Sequence, residues 1–310
     1  MLGMVEGNGH PYSWSAIVNG YDPEAMAACP YPAIPAYLNA EPKENFGIEG
    51  AKVTHIWCDR REDAEAVAKA SFVPNILEQS EGAIGQVDAV IIPTDKGEEH
   101  LDRARPFIEA GLPVFIDKPL TIREDHLQQF AQWVEEGKPI LSTSCMRYAR
   151  EYRELREDLD SVGEVRLITM TTAKSWERYG IHALEGVYPF LDPGDWLDVT
   201  NTGTEEKNVV HLRHASGTDV VIAAIADLYG AFGYLNVYGT KGSRCAVFGD
   251  TFHAFKAQLV AFVNYLKTGE RPFPFAETVE LMKIVIAGIK SREEGGGRIA
   301  LSEIAPRESQ

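Results

Sequence analysis

The chain is short of positive charge, sparing with cysteine and free of any long apolar run. Its 30 Lys and Arg face 46 Asp and Glu, a formal net charge of −16. Nucleic acid needs concentrated positive charge, so no such partner is expected. A small anion needs only a local basic cluster. The four cysteines, Cys29, Cys58, Cys145 and Cys245, lie far apart and form no C-x-x-C pair. That spacing argues against a disulfide framework or structural zinc, and no metal is expected. No apolar stretch approaches the ~20 residues of a membrane span, and Met1 leads straight into a core strand without a basic-then-apolar leader. No membrane is therefore expected, and the expected location is cytoplasmic. Internal repeats and low-complexity tracts are also lacking.

What remains is an ordinary globular composition, 45% hydrophobic over 310 residues, enough for two domains at the usual ~100–150 residues each. The first half alternates short apolar runs with amphipathic segments, the pattern of a parallel sheet covered by helices. "LGMVEG", "AKVTHIWCD", "VDAVIIPTD", "LPVFIDKPL" and "PILSTSCMRYA" read as strands. "SWSAIVNGY", "RREDAEAVAKAS", "EEHLDRARPFIEAG" and "REDHLQQFAQWVEEGK" read as helices. Residues 22–50 break the rhythm, and five prolines with Gly47 and Gly50 argue against a regular element there. Such a long loop is usually functional or mobile, and Tyr31, Tyr37 and Phe46 are candidates to cover a ligand. Past residue 150, period-two runs separated by Gly, Asn and Asp predict a largely antiparallel sheet, closed by two helical stretches. The expected division is 1–148, a doubly wound nucleotide-type domain carrying the insertion 22–50, and 149–310, an α+β domain.

Gly7-Asn8-Gly9-His10-Pro11-Tyr12 follows the first strand and begins like a dinucleotide-binding turn. The first glycine permits the turn, the second lets backbone approach a pyrophosphate, and the third packs helix on strand. Tyr12 stands at the third position, so the helix should shift outward or start later; an ordinary turn is the other reading. Asp59 ends the second strand, where an acid bonds a ribose hydroxyl, though about fifty residues after Gly7 where ~20 is usual. Asp59 favours NAD, while Arg60 and Arg61 beside it favour NADP. Lys118, in Asp117-Lys118-Pro119, closes another strand, where the ligand crevice of open α/β sheets lies. His182 and Glu185 stand one helical turn apart, and histidine suits proton transfer near neutral pH. Lys174 and Arg178, at i and i+4, form a cationic cluster with Arg147 or else a solvated charged face.

Together these pieces resemble the glucose–fructose oxidoreductase / inositol dehydrogenase / rhizopine-catabolism family, Gfo/Idh/MocA, over nearly the whole chain. "VDAVIIPTD…HLDRARPFIEAGLPVFIDKPL" is similar to the segment leading to its E-K-P motif, with Asp117 for Glu. "GIHALEGVYPFL" is similar to its G-x-H-x-x-D helix, with Glu185 for Asp, and "YLNVYGTKGS" and "PFAETVELMKIVIAGIKSREEGG" to its late strand and closing helix. The resemblance implies an N-terminal Rossmann domain, a second domain with an open, mostly antiparallel sheet, and NAD or NADP between them. It implies hydride transfer from a sugar, sugar-acid or cyclitol hydroxyl, with Lys118 and His182 as the catalytic pair, and a homodimer or homotetramer. Gly7, Gly9, His10, Asp59, Arg60, Thr94 and Lys118 form the expected cofactor set; Arg147, Lys174, Arg178 and Glu185 form the substrate set. Where many members carry an aspartate four residues before the histidine, this chain has Arg178. A guanidinium there suits a carboxylate-bearing substrate, unless it pairs with Glu177 or Glu185. Two other functions are compatible with these residues: redox-neutral, NAD-dependent glycoside cleavage, and a binding or regulatory protein that keeps the fold without turnover.

Overall fold

Backbone ladder bonds make segment 1–3 the central strand of the first sheet. Gly3 donates to the Trp57 carbonyl (2.8 Å), Trp57 to Met1 (3.1 Å) and Leu2 to Ile91 (2.9 Å). In the computed structural model, which describes residues 1–305, this segment joins the pair Asn75–Ile76 and His55–Ile56 to the trio Val90–Ile92, Val114–Ile116 and Ile140–Ser142. In chain order the strands lie 3-2-1-4-5-6, the doubly wound arrangement whose ligand crevice opens where strands 1 and 4 diverge. Helices His10–Asn19, Arg61–Ala70, His100–Glu109 and Glu124–Glu135 follow the strands as the periodicity predicts.

The insertion departs from its reading as irregular chain. It folds into helices Pro23–Met26 and Ala33–Ala40 and the short turn Lys43–Asn45. Its prolines sit where helices tolerate them: Pro23 occupies the first turn behind the Asp22 cap, and Pro32 precedes the second helix. A missing N–H costs nothing at those positions. The prolines therefore start these helices.

The second half builds a seven-stranded sheet in the order Ser243–Val247, Tyr234–Gly239, Val165–Ala173, Asp219–Ile225, Lys207–His214, Trp196–Asn201, Ile299–Ala300. Only the Val165–Ala173 and Asp219–Ile225 pair is parallel. One face buries Ile168, Met170, Val210 and Ile222 against helix Phe275–Glu293 and the segment around Trp176. Val209, Tyr234, Tyr238 and Val247 project, exposed, from the other face. Helix Thr251–Thr268 crosses back to the first sheet, with Phe255 5.9 Å from Trp14 and Phe262 5.4 Å from Phe115 between ring centres. Among the described residues, no helix is long and apolar enough to cross a membrane.

Candidate active site

The glycine loop lies at the divergence of strands 1 and 4. Gly7 takes φ +78°, a conformation that favours glycine. A Cβ on Gly9 would lie 2.5 Å from both Tyr31 and Ile34. The buried Asn8 ties the loop to the neighbouring strand end: its Nδ2 donates to the Pro93 carbonyl (2.9 Å) and its Oδ1 accepts the His10 N–H (2.8 Å). The helix begins at His10 directly, so Tyr12 does not delay its start. The Tyr12 ring turns into the core instead, and burial, reinforced by Cys29, pushes its phenol up to about 12.

A cavity of about 170 Å³ opens here, lined by residues that include Gly7, Gly9, His10, Tyr31, Asp95 and Tyr179. Small-ligand clefts usually exceed ~300 Å³. The insertion accounts for the difference, since Tyr31 lies over Gly9 and the Tyr37 hydroxyl bonds Ser13. Phe46 does not join them; it packs on Tyr21 and Phe252.

Behind the lining residue Asp95 lies Lys118, 2% exposed, its Nζ 3.8 Å from carboxylate oxygens of both Asp95 and Asp117 and without a hydrogen-bond partner among the described residues. Burial works against the ammonium, but Asp117 and Asp95 outweigh it and hold its pKa above the ordinary lysine value. Asp95 is equally buried. Burial alone would raise its carboxyl; Lys118 and Arg178 together bring it down to about 2. Asp117 also meets His10 Nδ1 at 2.8 Å, and the His10 ring stacks on Trp14.

The second half contributes the opposite wall. Trp176 is fully buried, its indole N–H donating to the Val285 carbonyl (2.9 Å), and a Cβ on Gly180 or Gly288 would run into its ring. That packing fixes the π-helical turn Trp176–Gly180, which runs into helix Ile181–Val187. Tyr179 then adjoins both members of the predicted pair: Lys118 Nζ lies 5.0 Å from its ring centre, and the His182 ring 4.8 Å away. His182 Nδ1 is 2.7 Å from Ser144 Oγ, while Nε2 makes no hydrogen bond among the described residues. Burial, then the nearby Lys118, His10 and Lys174, lowers the His182 pKa well below the ordinary histidine value.

Other predicted residues have different employment. Arg178 does not meet Glu177 or Glu185; it grips Asp95 with Nε (3.2 Å) and Nη2 (2.6 Å). Arg147 is held between Glu185 and Glu277, and Glu185 also accepts the Ser144 N–H (3.0 Å). Arg147 and Glu185 thus hold the Ser144 end of the histidine and are corrected from substrate contacts to supports. Asp59 stands at the strand end as predicted, accepting the Met4 N–H (3.1 Å) and pairing with Arg103 (2.8 Å). Arg60 is exposed among Glu62 and Asp63, turned to solvent. Thr94 is wholly buried, with its hydroxyl 3.1 Å from His100 Nε2. Sequence reasoning missed Asp95, Ser144 and Tyr179. Asp95 had a signal, because it closes its strand just as Asp59 and Lys118 close theirs. Among the described residues no group of three or more His, Cys, Asp or Glu could hold a metal ion.

The donor set fits a dinucleotide: a positive-φ glycine, a second glycine with no room for a side chain, an acid ending the second strand and a buried, unpartnered ammonium. Residues 30–144 match the family described as an oxidoreductase family with an NAD-binding Rossmann fold. Inositol 2-dehydrogenase 3 of Saccharopolyspora erythraea is 34% identical over 119 residues, 38% of this chain and 34% of that protein. The match thus spans about a third of that relative's length. In fold, the chain resembles myo-inositol 2-dehydrogenase from Lactobacillus plantarum, with a TM-score of 0.74, 16% identity, and 96% and 98% of the two chains covered. It also resembles an oxidoreductase from Agrobacterium radiobacter solved with NAD+, L-tartaric acid and magnesium (TM-score 0.70, 13% identity, 83% and 93% covered).

Proposed function

We propose that the chain is a member of the Gfo/Idh/MocA oxidoreductase family, as the match over residues 30–144 supports, and that it is an NAD-dependent dehydrogenase acting on a hydroxyl of a sugar, sugar acid or cyclitol. The observation that carries this reading is the buried Lys118 ammonium, without a hydrogen-bond partner among the described residues, packed with His182 around Tyr179, which lines the cavity at the glycine loop. When bound, NAD accepts hydride from the substrate carbon. The chain's own residues handle the hydroxyl. Lys118, kept charged by Asp95 and Asp117, holds the hydroxyl oxygen and stabilises negative charge growing on it. His182 Nε2 takes the proton, in the tautomer whose Nδ1–H donates to Ser144 Oγ. Asp59 receives a ribose hydroxyl, which favours NAD over NADP.

The exposed apolar side chains on the outer sheet face support a homodimer or homotetramer formed through that face. Steady-state assays following NADH with myo-inositol, neutral sugars and sugar acids test the activity. Lys118→Ala and His182→Ala should each lower kcat by about 10²–10⁴-fold while NAD affinity changes little. Full turnover in either variant overturns the assignment.

A further inference from the structure

Of the three cations expected to meet a substrate, Arg147 and Arg178 are engaged by carboxylates. Lys174 has no carboxylate partner among the described residues. Its Nζ meets the Tyr179 hydroxyl at 2.7 Å and lies 4.2 Å from that ring's centre. From the second half of the chain it also reaches the Gly7 carbonyl in the glycine loop, at 3.4 Å. Its backbone sits at φ +58°, one of two positive-φ residues that are not glycine among the described residues. Strained backbone persists where the surroundings enforce it and concentrates at ligand sites.

Charge points the same way. Lys118 and Arg178 pair with Asp95 and Asp117, whereas Lys174 has no carboxylate partner among the described residues, in a chain that is otherwise strongly acidic. Lys118 Nζ, 2% exposed, has no hydrogen-bond partner among the described residues. Buried or half-buried charge is normally paired, and Lys174 is held only by the Tyr179 hydroxyl and the Gly7 carbonyl among the described residues.

We propose that Lys174, with the Tyr179 hydroxyl, binds an oxyanion at the junction of the glycine loop and the Lys118–His182 cleft. The proposal rests on reading that cleft as the meeting place of dinucleotide and alcohol. Two ligand groups supply such an oxyanion: the pyrophosphate of the dinucleotide and a carboxylate on the substrate. Either would replace the weak contact with the Gly7 carbonyl by a charge-assisted hydrogen bond.

The test compares wild type, Lys174→Met and Lys174→Arg by calorimetric titration with NADH, and then with gluconate and myo-inositol in the presence of NADH. A tenfold or greater loss of NADH affinity in Lys174→Met, restored in Lys174→Arg, assigns the pyrophosphate. An equal loss confined to gluconate, with myo-inositol unchanged, assigns a substrate carboxylate. NADH and gluconate affinities both within twofold of wild type overturn the proposal, as does a loss shared equally by gluconate and myo-inositol. Urea unfolding of each variant checks the fold. These readouts need no turnover: a protein that binds through Lys174 yet oxidises no alcohol contradicts the dehydrogenase reading alone.

Discussion

Two charge states define the proposed chemistry, and each is set by the balance of burial and neighbouring charge. Lys118 keeps its proton because Asp117 and Asp95 outweigh desolvation. His182 sheds its proton because desolvation and the neighbouring cations act together. The dependence of kcat/KM on pH should therefore lack the usual histidine limb near 6.5: a neutral His182 remains a competent base below that value. A limb close to 6.5, abolished in His182→Gln, would contradict the buried neutral base. Stability carries the same sign. The folded-state pKa of His182 is depressed, so the unfolded chain binds the extra proton first as acid is added. Its contribution is complete above about 6.5 and declines as pH falls below it, whereas His182→Gln should flatten that decline in urea titrations across the same window.

The insertion shows what an element adds to a loop. Tyr31 and Ile34 close over Gly9 so tightly that a Cβ there would lie 2.5 Å from each. Gly9→Ala must push the insertion outward, at about 1–3 kcal/mol for overpacking. Tyr31→Ala in the same background should return part of that loss, measured by urea midpoint. Failure of Tyr31→Ala to return any would place the strain elsewhere. The cap of the first insertion helix is a smaller test: Asp22 accepts from Glu24 N (2.9 Å) and Ala25 N (3.2 Å), and Asp22→Ala should cost about 1 kcal/mol. The strands, the four helices and the glycine turn were legible because periodicity and turn chemistry are local. Lys118 and His182 were legible as motifs for the same reason. The helices of the insertion were not, because a proline reads as a breaker unless its cap is recognised first. The Arg178–Asp95 pair was invisible, since its partners stand 83 residues apart and only the fold brings them together.

At the scale of the molecule, the cleft exists only while the two halves hold their relative position, and Arg178 is one polar tie between its walls, beside Arg147 with Glu185 and Glu277. The Arg178 guanidinium takes both oxygens of Asp95 and touches the Glu6 carbonyl at 3.4 Å. Helix Thr251–Thr268 supplies an apolar tie through Phe255, 5.1 Å from His10 between ring centres. The Arg178 tie should be unequal in its two halves. Asp95→Asn leaves both Arg178 and the buried Lys118 short of a counter-charge, a situation that typically costs about 3–5 kcal/mol. Arg178→Met leaves Asp95 its Lys118, and Arg178 is partly exposed, so solvent screening should keep that loss to about 1 kcal/mol. If the pair acts as one unit, the double variant loses less than the two singles combined, by at least ~0.5 kcal/mol. NADH affinity measured on the same four proteins separates a tie from a mere stabiliser: loosened walls weaken binding in step with the lost coupling. Strictly additive unfolding energies, with unchanged NADH affinity, would leave the helix Thr251–Thr268 contact and the Arg147 pairs as what holds the cleft closed.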